Sequence, residues 1–320
     1  MEHNNVKNGG TKGKRSYRIK KQIPLQLMML PGAILLVVFS ILPMLGIWMA
    51  FTKYQPVYEQ SYFSSLFRGA FVGFGFFNQI FARPDFGRVV WNTIFISFVK
   101  IVLLIVLGVV LALLINEVGR KGFKKTVQTI VFIPYFLAWT ILSSILIDIL
   151  SLDGPVNAIV ALFGGEPVSF LASNTWFRPV LFISELWKNL GYQAIYFLAA
   201  ISNVDPNLYE AAKIDGAGRM RQCFSVTLPC IMPIIILMSV LNLGNIMSAG
   251  FDQVLALYNE MVYETGDIID TMAYRIGIIN DGIWKYSLGT AIGLFKSVIS
   301  CAFFGIGYLV AAKKFDYKVF

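Results

Sequence analysis

Residues 205–229 read DPNLYEAAKIDGAGRMRQCFSVTLP, and the fold turns on what this stretch is. Asp205 can accept from the unpaired N–H groups of a helix's first turn. Pro206 suits the first helical position, because its missing N–H would have no partner there. Leu208, Tyr209, Ala211, Ala212 and Ile214 then form a short apolar-rich helix. Gly216 stops it, since glycine takes the positive φ of a helix C-terminus without strain. A second short helix is predicted over Arg219 to Phe224, with Pro229 and Pro233 marking the start of the next apolar run. The stretch is therefore two short helices joined at a Gly-Ala-Gly turn, and its small residues let another backbone approach closely.

The chain around it is built for lipid. It has 320 residues, 57% hydrophobic and 14% charged, with mean hydropathy +0.67. A soluble domain carries about 25% charged residues. Leu25 to Phe51 has no charged residue, and about 20 apolar residues suffice to cross the hydrocarbon core. The run is too long for the core of a cleaved secretory signal. Further runs lie near 91–115, 127–149, 179–201, 230–250 and 287–312. Lone prolines and glycines inside them are tolerated in membrane helices. The expectation is an all-α polytopic membrane protein: a basic tail over 1–23, six transmembrane helices over 24–312, and a short tail over 313–320.

The formal charge of +9 would point to nucleic acid in a soluble protein, but here its location matters. Seventeen lysines and arginines fall in the two tails and in the 116–126 and 202–229 loops, against seven in the loops at 52–90, 150–178 and 251–286. Basic residues sort to the cytoplasmic side. Both termini and the 205–229 stretch are therefore expected in the cytoplasm of a bacterial cell, and no nucleic-acid role follows. The 251–286 loop is read as long, external, acidic and aromatic. Trp48, Trp91 and Trp187, near span ends, read as interfacial anchors. The lone His3 and the three cysteines, Cys223, Cys230 and Cys301, make no metal cluster, CxxC pair or histidine-based catalytic set. GTKGKRS fails as a phosphate loop because Arg15 stands where Ser or Thr must follow the lysine. No ATP site is expected in this chain.

The 205–229 stretch resembles the EAA loop of binding-protein-dependent ABC importer permeases. Glu210, Ala211 and Ala212 are followed after three residues by Gly216, and nine residues later by Val226, Thr227, Leu228 and Pro229. YEAAKIDGA is similar to the sugar-permease branch. FIPYFLAW at 132–139, LNLGNIMSAGFDQVLALYN at 241–259 and VYETGDIIDTMAYRIG at 262–277 resemble its LplB-like members. The resemblance implies the type I importer permease fold. It also implies docking on an ATPase through Glu210, Ala211, Ala212, Asp215, Gly216, Ala217, Leu228 and Pro229. Arg219-Met220-Arg221 departs from the aromatic residue that many sugar permeases carry there. Implied partners are a second permease in a heterodimer, two cytoplasmic ATPases holding ATP and Mg, and an extracellular lipid-anchored solute-binding protein. The chain itself would be no enzyme and hold no cofactor. It would line half the path of a sugar, an oligosaccharide from a complex polysaccharide.

Polar groups inside a membrane need a reason, since a charged side chain at a helix centre costs about 2.5–3.5 kcal/mol on insertion scales. Glu185, Lys188, Asn189, Tyr192 and Tyr196 share one helical face, and Asn242, Asn245 and Asp252 are spaced by helical turns. Related permeases line the sugar path with helices flanking the EAA loop, so Asn242, Asn245, Glu185, Lys188 and Tyr192 are the pathway candidates. The competing reading has Glu185 and Lys188 neutralising each other, and the asparagines bonding between helices for about 0.6 kcal/mol each. Lys100 and Lys296 either face the path or pair with carboxylates on neighbouring helices. A rival class, an ion-coupled carrier, would draft Glu185 or Asp148 for its ion, but the internal repeat typical of many such carriers is not apparent. A membrane enzyme would need a paired-acid motif, and none stands out.

Overall fold

The structure, a computed structural model, describes residue 24, residues 26–56 and residues 61–315. The tail expected over 1–23 and residues 316–320 lie outside the described residues. Within them the chain is helical apart from turns and one isolated bridge between Thr52 and Phe71.

The first uncharged run forms α1 (Gln26–Phe51), most of whose side chains face outward. The later apolar runs give α2 (Phe86–Glu117), the bent pair α3 (Lys121–Phe136) and α4 (Trp139–Ile149), α5 (Asn174–Ser202), α7 (Arg219–Gly244) and α10 (Lys285–Phe315). Four of these, α1, α2, α7 and α10, are long and apolar enough to cross a membrane, and α3–α4 makes a fifth if counted as one crossing. α5 has 29 residues but carries the polar face noted above.

Two of the prolines inside long helices, Pro43 and Pro229, share a local device. In each case a π turn comes immediately before a Leu-Pro pair: Val37–Ile41 before Leu42 and Pro43, and Cys223–Thr227 before Leu228 and Pro229. Proline lacks an N–H and its ring collides with the carbonyl four residues back. The wider i→i+5 turn moves that carbonyl and absorbs the missing bond.

Three expectations are corrected. The run at 127–149 is not one straight span: α3 and α4 meet at 99°. Leu137 and Ala138 are extended at the break, just after Pro134 in the Ile133–Phe136 turn. The second short helix expected over Arg219 to Phe224 is not separate, because the π turn carries it without interruption into α7. The 251–286 stretch, read as a long loop, carries regular helical turns. It forms α8 (Phe251–Leu257), short turns over Glu260–Val262 and Tyr263–Gly266, α9 (Ile269–Tyr274) and a π turn at Arg275–Ile279. Val254, Val262, Ile268, Ile269 and Met272 are fully buried. Each short helix buries one apolar side, a pattern too brief to register as a span.

The bundle is held by close contact, since lipid tails are as apolar as leucine and burial from lipid drives little. α2 and α5 pack along their length, joining Ile105, Val109, Ala112 and Ile115 to Ala194, Phe197, Leu198 and Ile201, with Ile231 of α7. Gly108 makes this possible: a Cβ there would stand 2.9 Å from Gln193 Cγ. A second core joins α1, α2, α9 and α10 through Ala50, Val89, Met272, Ala291 and Ile292, with Phe76, Phe77 and Ile80 from the connection after α1.

Candidate functional site

The first site is the elbow between α5 and α7. α6 (Pro206–Ile214) opens with the Asp205 carboxylate accepting from the Asn207 N–H at 2.9 Å and Pro206 in the first turn. It ends at Gly216, whose φ is +74°, with the Ala217 N–H donating to the Ala212 carbonyl at 2.8 Å. Two contacts brace the elbow. The Tyr209 hydroxyl lies 3.0 Å from Thr227 Oγ1, and Gln222 Nε2 donates to the Ala217 carbonyl at 2.7 Å. No residue of α6 is buried. Ile214 is 87% exposed and Met220 73%. The elbow thus presents a bare apolar tip while standing clear of its own bundle. Glu210, Ala211, Asp215 and Gly216 are exposed, Ala212 and Ala217 are half-buried, and Leu228 and Pro229 lie on the stem, just past the π turn.

The second site is polar and internal. Lys100 of α2 is buried. Its ammonium donates to the Ala249 carbonyl at 2.8 Å and to Gln253 Oε1, and lies 3.6 Å from a Glu185 carboxylate oxygen. Gln253 Nε2 donates to the Leu181 carbonyl and to Ser184 Oγ, both at 2.8 Å. Asn189 Nδ2 donates to the other Glu185 oxygen at 2.5 Å. These groups converge on a turn where Ala249 (φ +48°) and Gly250 (φ +77°) are both left-handed. A Cβ on Gly250 would stand 2.8 Å from the Lys100 ammonium, so only glycine fits there.

Glu185 therefore pairs with Lys100, not Lys188. Lys188 instead donates to the carbonyls of Tyr135, at 2.8 Å, and Leu137, which the break between α3 and α4 leaves without helical partners. Tyr192 stacks on Tyr135 with centroids 3.9 Å apart and accepts from or donates to the Tyr196 hydroxyl at 2.6 Å. Asn242 and Asn245 bond back to carbonyls of their own helix, Met238 at 2.8 Å and Leu241 at 3.4 Å, rather than to another helix. Of the five pathway candidates, Glu185, Lys188 and Tyr192 are spent on contacts within the chain. Asn242 is half-buried and Asn245 exposed.

The sequence profile of the family described as "binding-protein-dependent transport system inner membrane component" matches residues 104–315. The chain belongs to this permease family. It is 38% identical to Protein LplB of Bacillus subtilis (strain 168) over 300 residues, 93% of this chain and 91% of LplB. It is also 38% identical, over 283 residues, to the polygalacturonan/rhamnogalacturonan transport system permease protein YteP of the same organism, covering 88% and 85% of the two chains. A chain in the crystal structure of a bacterial alginate ABC transporter, in complex with alginate pentasaccharide-bound periplasmic protein, superposes with a TM-score of 0.84 at 34% identity, covering 95% of this chain and 99% of that one. The permease is thus an integral membrane subunit of an ABC importer. It is not an enzyme, and ATP is hydrolysed by separate ATPase subunits.

At the end of α7 opposite the elbow, the permease holds a cavity of about 740 Å³. Ser248 and Gly250 come from the turn after α7, Phe251 and Asp252 from the start of α8, Asp270, Ala273 and Tyr274 from α9, and Tyr286, Thr290 and Lys296 from α10. The Lys296 ammonium donates to both Asp270 oxygens, at 2.8 and 2.7 Å. α10 crosses closely over the π turn after α9 beside it, where a Cβ on Gly289 would lie 2.8 Å from the Gly277 Cα. Next to the cavity wall, Arg275 pairs with buried Asp267 at 2.6 Å and lies over the Tyr263 ring at 4.5 Å. Burial pushes the neighbouring Tyr258 phenol up to about 12. Except for Asp252 and Lys296, none of these residues stood out as a pathway group, because α9 was hidden in an apparent loop. Lys100 and Lys296 were visible as buried charges, but their partners were not.

Proposed function

We propose that this permease forms half of the path for an oligosaccharide released from a complex polysaccharide, in the plasma membrane of a bacterium. One observation carries this reading: α7 links the exposed elbow to the polar cavity as a single uninterrupted helix of 26 residues, about 39 Å long at 1.5 Å per residue. A push on the elbow therefore travels the length of α7 to Gly244 and passes to the cavity through the turn that carries Ser248 and Gly250. YteP is named for the transport of polygalacturonan and rhamnogalacturonan, and the alginate structures concern an acidic polysaccharide. The cavity suits sugar, with carboxylates and hydroxyls for sugar hydroxyls and the rings of Phe251, Tyr274 and Tyr286 for apolar sugar faces.

In this reading the chain crosses the membrane six times with both termini in the cytoplasm, and α5 supplies a polar crossing within the bundle. Two cytoplasmic ATPases bind ATP and Mg and receive Glu210, Ala211, Ala212, Asp215, Gly216 and Ala217 in a groove, with Leu228 and Pro229 as the stem. A second, different permease supplies the other half of the path, and an extracellular lipid-anchored binding protein delivers the sugar. Asn242 on α7 and Asn245 just past its end stand before the cavity lining and extend the polar path. Glu185, Lys188 and Tyr192 hold the wall in shape.

The test is uptake and sugar-stimulated ATP hydrolysis by the reconstituted complex carrying Glu210→Ala or Gly216→Pro. Proline cannot adopt the φ of +74° that Gly216 requires, so the turn must change. Loss of stimulation with intact assembly supports the reading. Unchanged uptake and stimulation in both variants refutes docking through the elbow.

A further inference from the structure

We propose that the cavity at the far end of α7 selects uncharged oligosaccharides, and that Asp252 is the residue that disfavours uronates. This rests on the reading of the chain as a sugar permease. The charge inventory of the lining carries it. Three lining residues are charged at neutral pH: Asp252, Asp270 and Lys296. Lys296 is committed to both oxygens of Asp270, so that pair is neutral as a unit and offers no spare cation. Asp252 is exposed at the cavity and has no ion-pair or hydrogen-bond partner among the described residues. The charges behind the wall are likewise paired, Lys100 with Glu185 and Arg275 with Asp267. One unpaired negative charge is left facing the space.

A uronate is recognised by arginine or lysine, best through two parallel bonds to its carboxylate. This lining has no free group of that kind. A carboxylate brought within about 5 Å of Asp252, in surroundings between protein and water, would be disfavoured by about tenfold or more relative to the matching neutral sugar. A neutral sugar meets the opposite situation. Asp252 accepts from its hydroxyls, Ser248 and Thr290 offer hydroxyls of their own, and Phe251 and Tyr274, with ring centroids 6.0 Å apart, present apolar surface. The volume lies in the range of about 300–1,000 Å³ typical of small-ligand sites.

The experiment supplies the complete transporter, in proteoliposomes with its binding protein, with a polysaccharide hydrolysate containing neutral and uronate oligosaccharides of matched length. Mass spectrometry then reads which of them accumulate on ATP. Because the delivering protein also selects, the decisive quantity is the neutral-to-uronate ratio in the wild type and its change in Asp252→Asn and Asp252→Lys, each checked for intact assembly. Expected is a ratio of about tenfold or more in the wild type, falling severalfold in Asp252→Asn and further in Asp252→Lys. Equal or preferred uronate accumulation in the wild type overturns the inference but leaves sugar transport standing. A high ratio that neither variant moves overturns the role of Asp252. ATP-dependent accumulation of no carbohydrate at all overturns the sugar-permease reading itself.

Discussion

The Lys188 ammonium lies 2.8 Å from the carbonyl oxygen of Tyr135, at the point where α3 breaks from α4, and also bonds the carbonyl of Leu137. A broken helix inside a membrane protein leaves carbonyls that neither water nor lipid can satisfy, so another helix must supply the donor. α5 does so, and it can sit close because Gly191 has no side chain: a Cβ there would fall 2.3 Å from the Val131 carbonyl oxygen. Lys188→Met leaves two half-buried acceptors without a donor, at up to about 1–3 kcal/mol each. Thermal unfolding of the purified complex in detergent should show a loss of several degrees, with Lys188→Arg recovering part of it. An unchanged melting temperature in Lys188→Met would remove this contact from the account of the bend.

Lys100 and Glu185 make a different prediction, because Lys100 is buried and Glu185 half-buried beside it. Removing one partner strands a buried charge, typically at about 3–5 kcal/mol. Lys100→Met should therefore destabilise the permease more than the double variant Lys100→Met/Glu185→Gln. A double-mutant cycle read by thermal unfolding measures the coupling, and simple additivity would show that the 3.6 Å approach is not an interaction.

The Tyr209 hydroxyl and Thr227 tie α6 to the π turn of α7 across 3.0 Å. Tyr209→Phe removes one hydrogen bond, worth about 0.5–1.5 kcal/mol, and little else. Global stability should hardly move, while the angle between elbow and lever loosens. The expected result is a drop in sugar-stimulated ATP hydrolysis with basal hydrolysis retained. Equal stimulation in variant and wild type would mean the brace does not transmit force.

Gly277 and Gly289 bring α10 against the π turn that follows α9, beside the cavity. Gly289→Ala places a methyl 2.8 Å from the Gly277 Cα, backbone that cannot swing aside, so the elements must part. Overpacking of this kind costs about 1–3 kcal/mol. Weaker sugar uptake together with a lower melting temperature is expected, whereas Gly293→Ala on the same helix, with open space around its Cβ, should be silent in both assays.

Much of this molecule is local. The uncharged runs, the Asp205-Pro206 start of α6, the glycine stop at Gly216 and the spacing from Glu210 to Pro229 depend on neighbours a few residues apart. They can be read along the chain without knowing what packs where. The elbow falls in that class, and so do the long helices. The bend after Pro134, the burial of 251–279 and the partners of the intramembrane charges do not. Lys100 meets the Ala249 carbonyl across 149 residues, and Asn92 meets the Asp267 carbonyl across 175. Such pairings are chosen by which helices touch. A buried lysine states only that some acceptor must exist, since an unpaired charge there is too costly, and does not say which. Glu185 three residues from Lys188 looked like that acceptor on the helix face, yet packing turned one toward α2 and the other toward the break in α3–α4. The cavity followed from the same packing, because its walls come from three segments whose nearness no local pattern encodes.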